Sequence, residues 1–276
     1  MVLIDHAAAR RALAAVTTRT VELIGSLPDG VARVTGSDWT AAEVAAHLVV
    51  ALRGYTDASQ GTVEELEPYI PEVEAFSERL PAFTNASLQM EPERDPKALA
   101  ELLAEAASQF LSATAALPAA QVVPTPWYGP AASLPLDAGT CLLLGEQLVH
   151  GYDVAATVDR PWPIERAEAR LVAGAVPPML PLALDPVAAR GKRVTYDVRV
   201  RGGPQFSVRV ADGAATVEPG APGGTVDCHL SVDPVAFLLV GYGRVSQWGP
   251  IAKGAMVAWG RRPWLGLQFK ALFVNP

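Results

Sequence analysis

AGTCLLLGEQLVHGYDVAATV, residues 138–158, decides how the rest of the chain is read. It is long enough for a helix and apolar on most sides, yet it carries Glu146 and His150 four residues apart. Four residues advance an α-helix by slightly more than one turn, which places the two side chains on one face with Cβ atoms about 5–6 Å apart. A carboxylate and an imidazole set among Cys141, Leu142, Leu143, Leu144, Leu148, Val149 and Val154 need compensation. A divalent metal gripped by both would supply it, and so would a hydrogen bond between them.

Three more long helices precede this one. Residues 97–117 place Leu99, Leu102, Leu103, Ala106, Phe110 and Leu111 on one side of an amphipathic helix. Thr40 followed three residues later by Glu43 is a capping box and starts a helix at about Ala41. Its inward stripe is Val44, His47, Leu48, Ala51, Leu52 and Tyr55, so His47 turns toward the interior. Residues 4–26 have helical spacing and stop at Gly25 and Pro28, with His6 read as an exposed polar residue near the start. Between residues 60 and 96 five prolines leave a long crossover with a helix at about 72–80. The Pro-rich run 122–139 is read as a loop. Four long helices with one long connection match a four-helix bundle with a crossover.

After Pro161 the period changes. A helix is expected over 166–184, and then Val194, Tyr196, Val198 and Val200 alternate, as do Phe206, Val208 and Val210 beyond Gly202-Gly203. These predict paired antiparallel strands. A further strand is expected at 226–232, a helix at 234–242, a strand at 255–259 and a closing helix at 263–273. The fold class is therefore two-domain, α followed by α+β, with domains at 1–160 and 161–276 and the boundary within DRPWP, residues 159–163.

Composition narrows the function. Lys plus Arg is 22 against 29 for Asp plus Glu, and no basic block occurs, which excludes a nucleic-acid-binding footprint. No run of about 18 uncharged apolar residues suggests a membrane span. Cys141 and Cys228 are read as reduced thiols in a cytoplasmic protein, with Cys141 packed as a small hydrophobe. His229 beside Cys228 makes a poor metal pair, because neighbouring strand residues face opposite ways. Trp248, Trp259 and Trp264 are read either as the lining of a lipid-like cavity or as sheet core.

Bundle interiors build metal sites from inward side chains on facing helices, so His47 becomes a third member beside Glu146 and His150. Two imidazoles and one carboxylate, with a position left over, form the ligand set of a catalytic rather than a structural zinc site. A buried hydrogen-bonded cluster remains the alternative.

The segments DWTAAEVAAHL (38–48), GEQLVHGYDVA (145–155), SVDPVAFLLVGYGRVS (231–246) and KGAMVAWG (253–260) resemble the mycothiol-dependent maleylpyruvate isomerase family. The resemblance implies a DinB-like metal-binding four-helix bundle followed by a sterol-carrier-protein-like domain. It implies that His47, Glu146 and His150 hold zinc or another divalent ion, and that mycothiol is the thiol cosubstrate. It also implies a functional arginine in the C-terminal domain, for which Arg244 is the best match, against a reading as a surface arginine in a Gly-rich loop. Asp153 matches the family's His-x-x-Asp spacing and would orient a ligand, or pack the helix.

The implied chemistry is thiolate addition to an activated double bond, rotation about the new single bond and elimination. Arg244 would then hold a carboxylate of substrate or thiol cofactor. A mycothiol-dependent S-transferase and a non-catalytic, metal-stabilised binding protein are the competing expectations. The expected partners are a small-molecule substrate and a low-molecular-weight thiol, for a monomer that meets neither nucleic acid nor membrane.

Overall fold

The computed structural model describes residues 4–35, 37–73 and 75–274. The chain divides into two compact units, one spanning Asp5–Pro163 and the other running from Ile164 onward together with Ile4. Among the described residues no helix is long and apolar enough to cross a membrane.

The first unit is helical. It contains α1 (His6–Gly25), α2 (Ala41–Gln60), α3 (Phe76–Ser87), α4 (Pro96–Ala113) and α5 (Leu136–Thr157). Helices α1 and α2 each pack against both α4 and α5. Helix α5 is buried along almost its whole length, so its apolar residues do not sort to one side. The predicted capping box starts α2: Thr40 Oγ1 accepts from Glu43 N at 3.3 Å while Glu43 Oε2 accepts from Thr40 N at 2.7 Å. Helix α4 starts at Pro96 behind an Asp95 cap and ends at Ala113, earlier than the apolar pattern predicts. The Arg10 guanidinium explains the stop, since it donates to the Leu111 carbonyl and, at 2.5 Å, to the Thr114 hydroxyl.

Three other expectations need correction. His6 is half-buried rather than exposed, with Nε2 3.1 Å from Thr140 Oγ1. The crossover helix begins at Phe76 and runs through Pro81 to Ser87. Pro81 is the sixth residue of this helix, past the first turn, so the helix forgoes one i→i−4 hydrogen bond there. The crossover is also tied down: buried Arg79 donates to the carbonyls of Pro71 at 2.6 Å and Val73 at 2.9 Å. Arg53 of α2 pairs with buried Glu91 at 2.8 Å. Finally, the Pro-rich run contains a small antiparallel pair, β1 (Val122–Pro124) and β2 (Ser133–Pro135), that leads directly into α5.

The second unit is built on a five-stranded sheet. It contains α6 (Arg166–Ala175), α7 (Pro186–Ala189), β3 (Val194–Val200), β4 (Gln205–Ala211) and β5 (Ala214–Pro219). The chain continues through β6 (Cys228–Val232), α8 (Pro234–Gly241), α9 (Trp248–Ala252) and β7 (Met256–Trp259). Helix α6 stops short of Pro177-Pro178, where two N–H groups are missing. Strands β3, β4 and β5 form an antiparallel meander. Strand β6 then joins β3 in parallel, giving the order β5-β4-β3-β6-β7. The β4–β5 turn needs positive φ at Asp212 (55°) and Gly213 (78°), as an Asp-Gly hairpin does.

One sheet face is core: Tyr196, Val198, Val200, Phe206, Val208, Val210, Leu230 and Val232 are buried there. Helix α6 packs against α8, whose Phe237 meets Phe206 edge-on at 6.4 Å. Two expectations fail in this unit. Residues 263–273 form 3-10 turns, Pro263–Gln268 and Lys270–Leu272, instead of an α-helix. The segment lies tight on β7, where a Cβ on Gly266 would come within 2.6 Å of Ala258 Cβ. Trp248, Trp259 and Trp264 are not sheet core, being 61%, 39% and 59% exposed.

Candidate metal centre

Helices α2 and α5 bring His47, Glu146 and His150 together. Glu146 Oε2 lies 3.1 Å from His47 Nε2 and 3.2 Å from His150 Nε2. One ligand atom from each residue falls within 4.8 Å of the other two. The three side chains are 14%, 26% and 15% exposed, so the cluster is sheltered yet open to a small molecule. Two glycines let aromatic rings seat on α5 around it. A Cβ on Gly139 would come within 2.8 Å of the Tyr55 ring, and one on Gly151, beside His150, would overlap the Trp162 ring. The Trp162 indole also donates to the Leu148 carbonyl at 2.9 Å.

The electrostatics of the three groups diverge. Burial opposes ionisation of Glu146, but hydrogen bonds from His150 and His47 overcome it and hold the carboxyl well below its ordinary range. Burial likewise opposes charge on His150, yet the Asp153 and Glu146 carboxylates win and push its pKa up to about 9. His47 is pushed down, because burial outweighs the pull of Glu146 and the imidazole of His150 repels a second positive charge. The metal-free cluster thus holds one proton shared around one carboxylate. Asp153 Oδ2 stands 3.5 Å from His150 Nδ1, an ion-pair contact longer than a good hydrogen bond.

These donors fit a divalent cation. A tetrahedron with bonds of about 2.0–2.1 Å has edges of about 3.3 Å, close to the two observed nitrogen–oxygen separations. The outer nitrogens differ: His150 Nδ1 faces the Asp153 carboxylate at 3.5 Å, while His47 Nδ1 is buried without a hydrogen-bond partner among the described residues. Such a group costs roughly 1–3 kcal/mol.

The surroundings include residues the sequence did not mark. Trp39 lies against both imidazoles, with ring centroids 5.3 Å from His47 and 6.5 Å from His150. Tyr55 and Tyr128 share a hydroxyl–hydroxyl contact of 3.1 Å. Tyr128 is pushed up to about 12 by burial, with the Glu146 carboxylate adding to the effect. Trp39 stands one residue before the helix cap, a cue for a staple residue, but Tyr128 sits in a loop where periodicity offers none.

Residues 10–155 match the family model for the mycothiol maleylpyruvate isomerase N-terminal domain. The chain belongs to this family. Its fold resembles the crystal structure of the mycothiol-dependent maleylpyruvate isomerase at a TM-score of 0.53 and 13% identity, over 92% of this chain and 93% of that one. A histidine-to-alanine mutant of that enzyme matches with the same coverage and TM-score at 12% identity. No curated protein matches the chain. The likeness to the solved family member extends through both units and is one of fold.

The remaining expected residues fall as follows. Arg244 lies in the second unit, in the turn after α8, half-buried, with Nη1 donating to the Tyr242 carbonyl at 2.8 Å. Cys141 is fully buried and its thiol is pushed up to about 12 by desolvation, so it is no nucleophile. Cys228 and His229 part to opposite sheet faces: the cysteine enters the core and His229 Nδ1 meets Asp197 Oδ2 at 2.8 Å.

Proposed function

We propose that this chain is a metal-dependent enzyme that uses a low-molecular-weight thiol of the mycothiol type on a small-molecule substrate, with isomerase chemistry. The observation that carries the reading is the convergence of His47, Glu146 and His150 on one point, in the part of the chain that matches the family. We take the first unit as a DinB-like four-helix bundle and the second as a sterol-carrier-like domain. Zinc is the ion that suits two imidazoles and a carboxylate. When bound, it would supply a Lewis acid that favours the thiolate over the thiol at neutral pH.

The chain's own residues have separable parts. Glu146 stays ionised and offsets the charge of the ion. His47 is already neutral, and His150 must release its proton, for which Asp153 is placed to hold the remaining Nδ1–H. Tyr128 stays protonated and can only donate or accept hydrogen bonds. Arg244 is assigned to a carboxylate of the substrate or the thiol. The thiolate adds to an activated double bond, the single bond so formed turns, and elimination returns the thiol with the isomerised product. An S-transferase would use the same centre to displace a leaving group.

The test is turnover of an activated cis-alkene diacid by the purified protein. Activity that needs added thiol, disappears on chelation and returns with a divalent ion is expected. Turnover that persists without thiol or after chelation overturns the proposal.

A further inference from the structure

Histidines that ligate a metal are normally oriented through the other ring nitrogen, by an N–H donated to a carboxylate or carbonyl. In this centre the two histidines are not treated alike. His150 has Asp153 facing its Nδ1 at 3.5 Å. His47 has nothing equivalent, for its Nδ1 is buried and finds no hydrogen-bond partner among the described residues. Its side chain must be held by something else. The Trp39 indole lies 5.3 Å from the His47 ring at a 52° tilt and reaches the His150 ring at 6.5 Å and 24°. The two imidazoles stand edge-on to each other at 5.1 Å. One ring therefore borders both ligands.

Trp39 is itself fixed on several sides. Its backbone carbonyl accepts from Val34 N at 2.9 Å, and its N–H donates to Ser37 Oγ at 3.1 Å. Its indole Nε1 donates to Asn85 Oδ1 of α3 at 3.2 Å. Thr40, the next residue, is the cap of α2. The indole also packs against the buried cluster of Val44, Val154 and Ala155.

We propose that Trp39 is a positioning residue of the metal centre, holding the His47 imidazole by ring contact in the role that a carboxylate plays for His150. The inference rests on the metal reading above and adds to it the means by which one ligand is oriented. A ring that only filled space could be replaced by another apolar group of some bulk. A ring that orients a ligand needs a flat face.

The experiment measures zinc affinity of the full chain by competition with a chromophoric chelator, alongside melting temperature with and without zinc, for the parent, Trp39→Leu and Trp39→Phe. The leucine variant should bind zinc about tenfold more weakly or worse, in the range found when outer supports of a metal site are removed. Its zinc-induced rise in melting temperature should shrink, since that rise follows affinity. The phenylalanine variant should stay within about threefold of the parent, well short of the tenfold expected when a support is lost. A leucine variant that binds as tightly as the parent overturns the proposal, as does one that melts lower without metal yet keeps the full zinc-induced rise. Should the leucine variant not fold, Trp39→Met keeps flexible apolar bulk without a flat face, and zinc affinity equal to the parent's there is equally fatal. A parent chain that takes up no zinc at all refutes the metal reading itself.

Discussion

Each unit buries a histidine beside a carboxylate, and the two clusters are built to opposite standards. In the sheet unit Asp197 accepts from His229 Nδ1 at 2.8 Å, Arg199 Nε at 2.9 Å and Gln205 Nε2 at 2.8 Å. Both of its oxygens are engaged, and the His229 ring stacks on Trp259 at 5.3 Å and 14°. In the helical unit Glu146 Oε2 faces two imidazoles, and the outer nitrogen of His47 has no hydrogen-bond partner among the described residues. Polar groups in the first cluster are complete without any visitor. Those in the second bring three donor atoms from two helices to one point, which is what a cation requires.

The comparison can be broken most sharply at the two carboxylates. Glu146→Gln keeps the shape and removes the charge, and metal affinity should fall by at least about a hundredfold, beyond the range for outer supports. Chelator competition measures it, and a variant that binds like the parent would put the centre elsewhere. Asp197→Ala should do the reverse, leaving metal affinity unchanged and lowering stability by about 2 kcal/mol. That figure lies below the roughly 3–5 kcal/mol of a fully buried pair, because Arg199 is half-exposed and rehydrates. Denaturant melts of both variants decide whether the roles separate. The pKa of Asp197 is depressed by Gln205, Arg199 and His229 against the cost of burial. Its contribution is therefore present above the ordinary aspartate pKa of about 4 and is lost as pH falls through the lower folded value.

A second contrast lies in protons. His150 is pushed up to about 9 in the metal-free centre, so near pH 7 an entering divalent ion must displace its proton. Calorimetry in buffers of different ionisation enthalpy should show about one proton released per ion at pH 7, falling toward none above about pH 9. Affinity should rise with pH over the same window. Uptake without proton release would mean that His150 is already neutral before the ion enters. The smallest effect concerns Arg244. Arg244→Lys keeps the charge and loses the planar fork, so turnover should drop about ten- to a hundredfold with metal content unmoved. Kinetics within about twofold of the parent would return Arg244 to a local role, such as its bond to the Tyr242 carbonyl.

Much of this could be read before any coordinates. A period of 3.6 residues located α1, α2 and α4, and a period of two located β3 and β4, because those signals come from burial on one face; α5, buried all round, is read from its long apolar run. Spacing put Glu146 and His150 on one turn, and the capping box fixed the phase of α2 so that His47 pointed inward. What escaped depends on contacts distant in sequence. Nothing local tells that Arg10 ends α4, that Thr140 half-buries His6, or that β6 joins β3 in parallel. The three exposed tryptophans misled because size argues for burial, whereas short surface turns hold Trp248 and Trp264 and the edge strand β7 holds Trp259. Trp39 was in view within DWTAAEVAAHL, but its contact with two imidazoles exists only once α5 is alongside.

The central claim is that His47, Glu146 and His150 form a metal centre, and elemental analysis of the purified chain addresses it most directly. Three inward donors on two packed helices are preorganised, so about one divalent ion per chain is expected in the parent and almost none in His150→Ala. A parent chain that carries no ion, even after dialysis against zinc, would contradict the account.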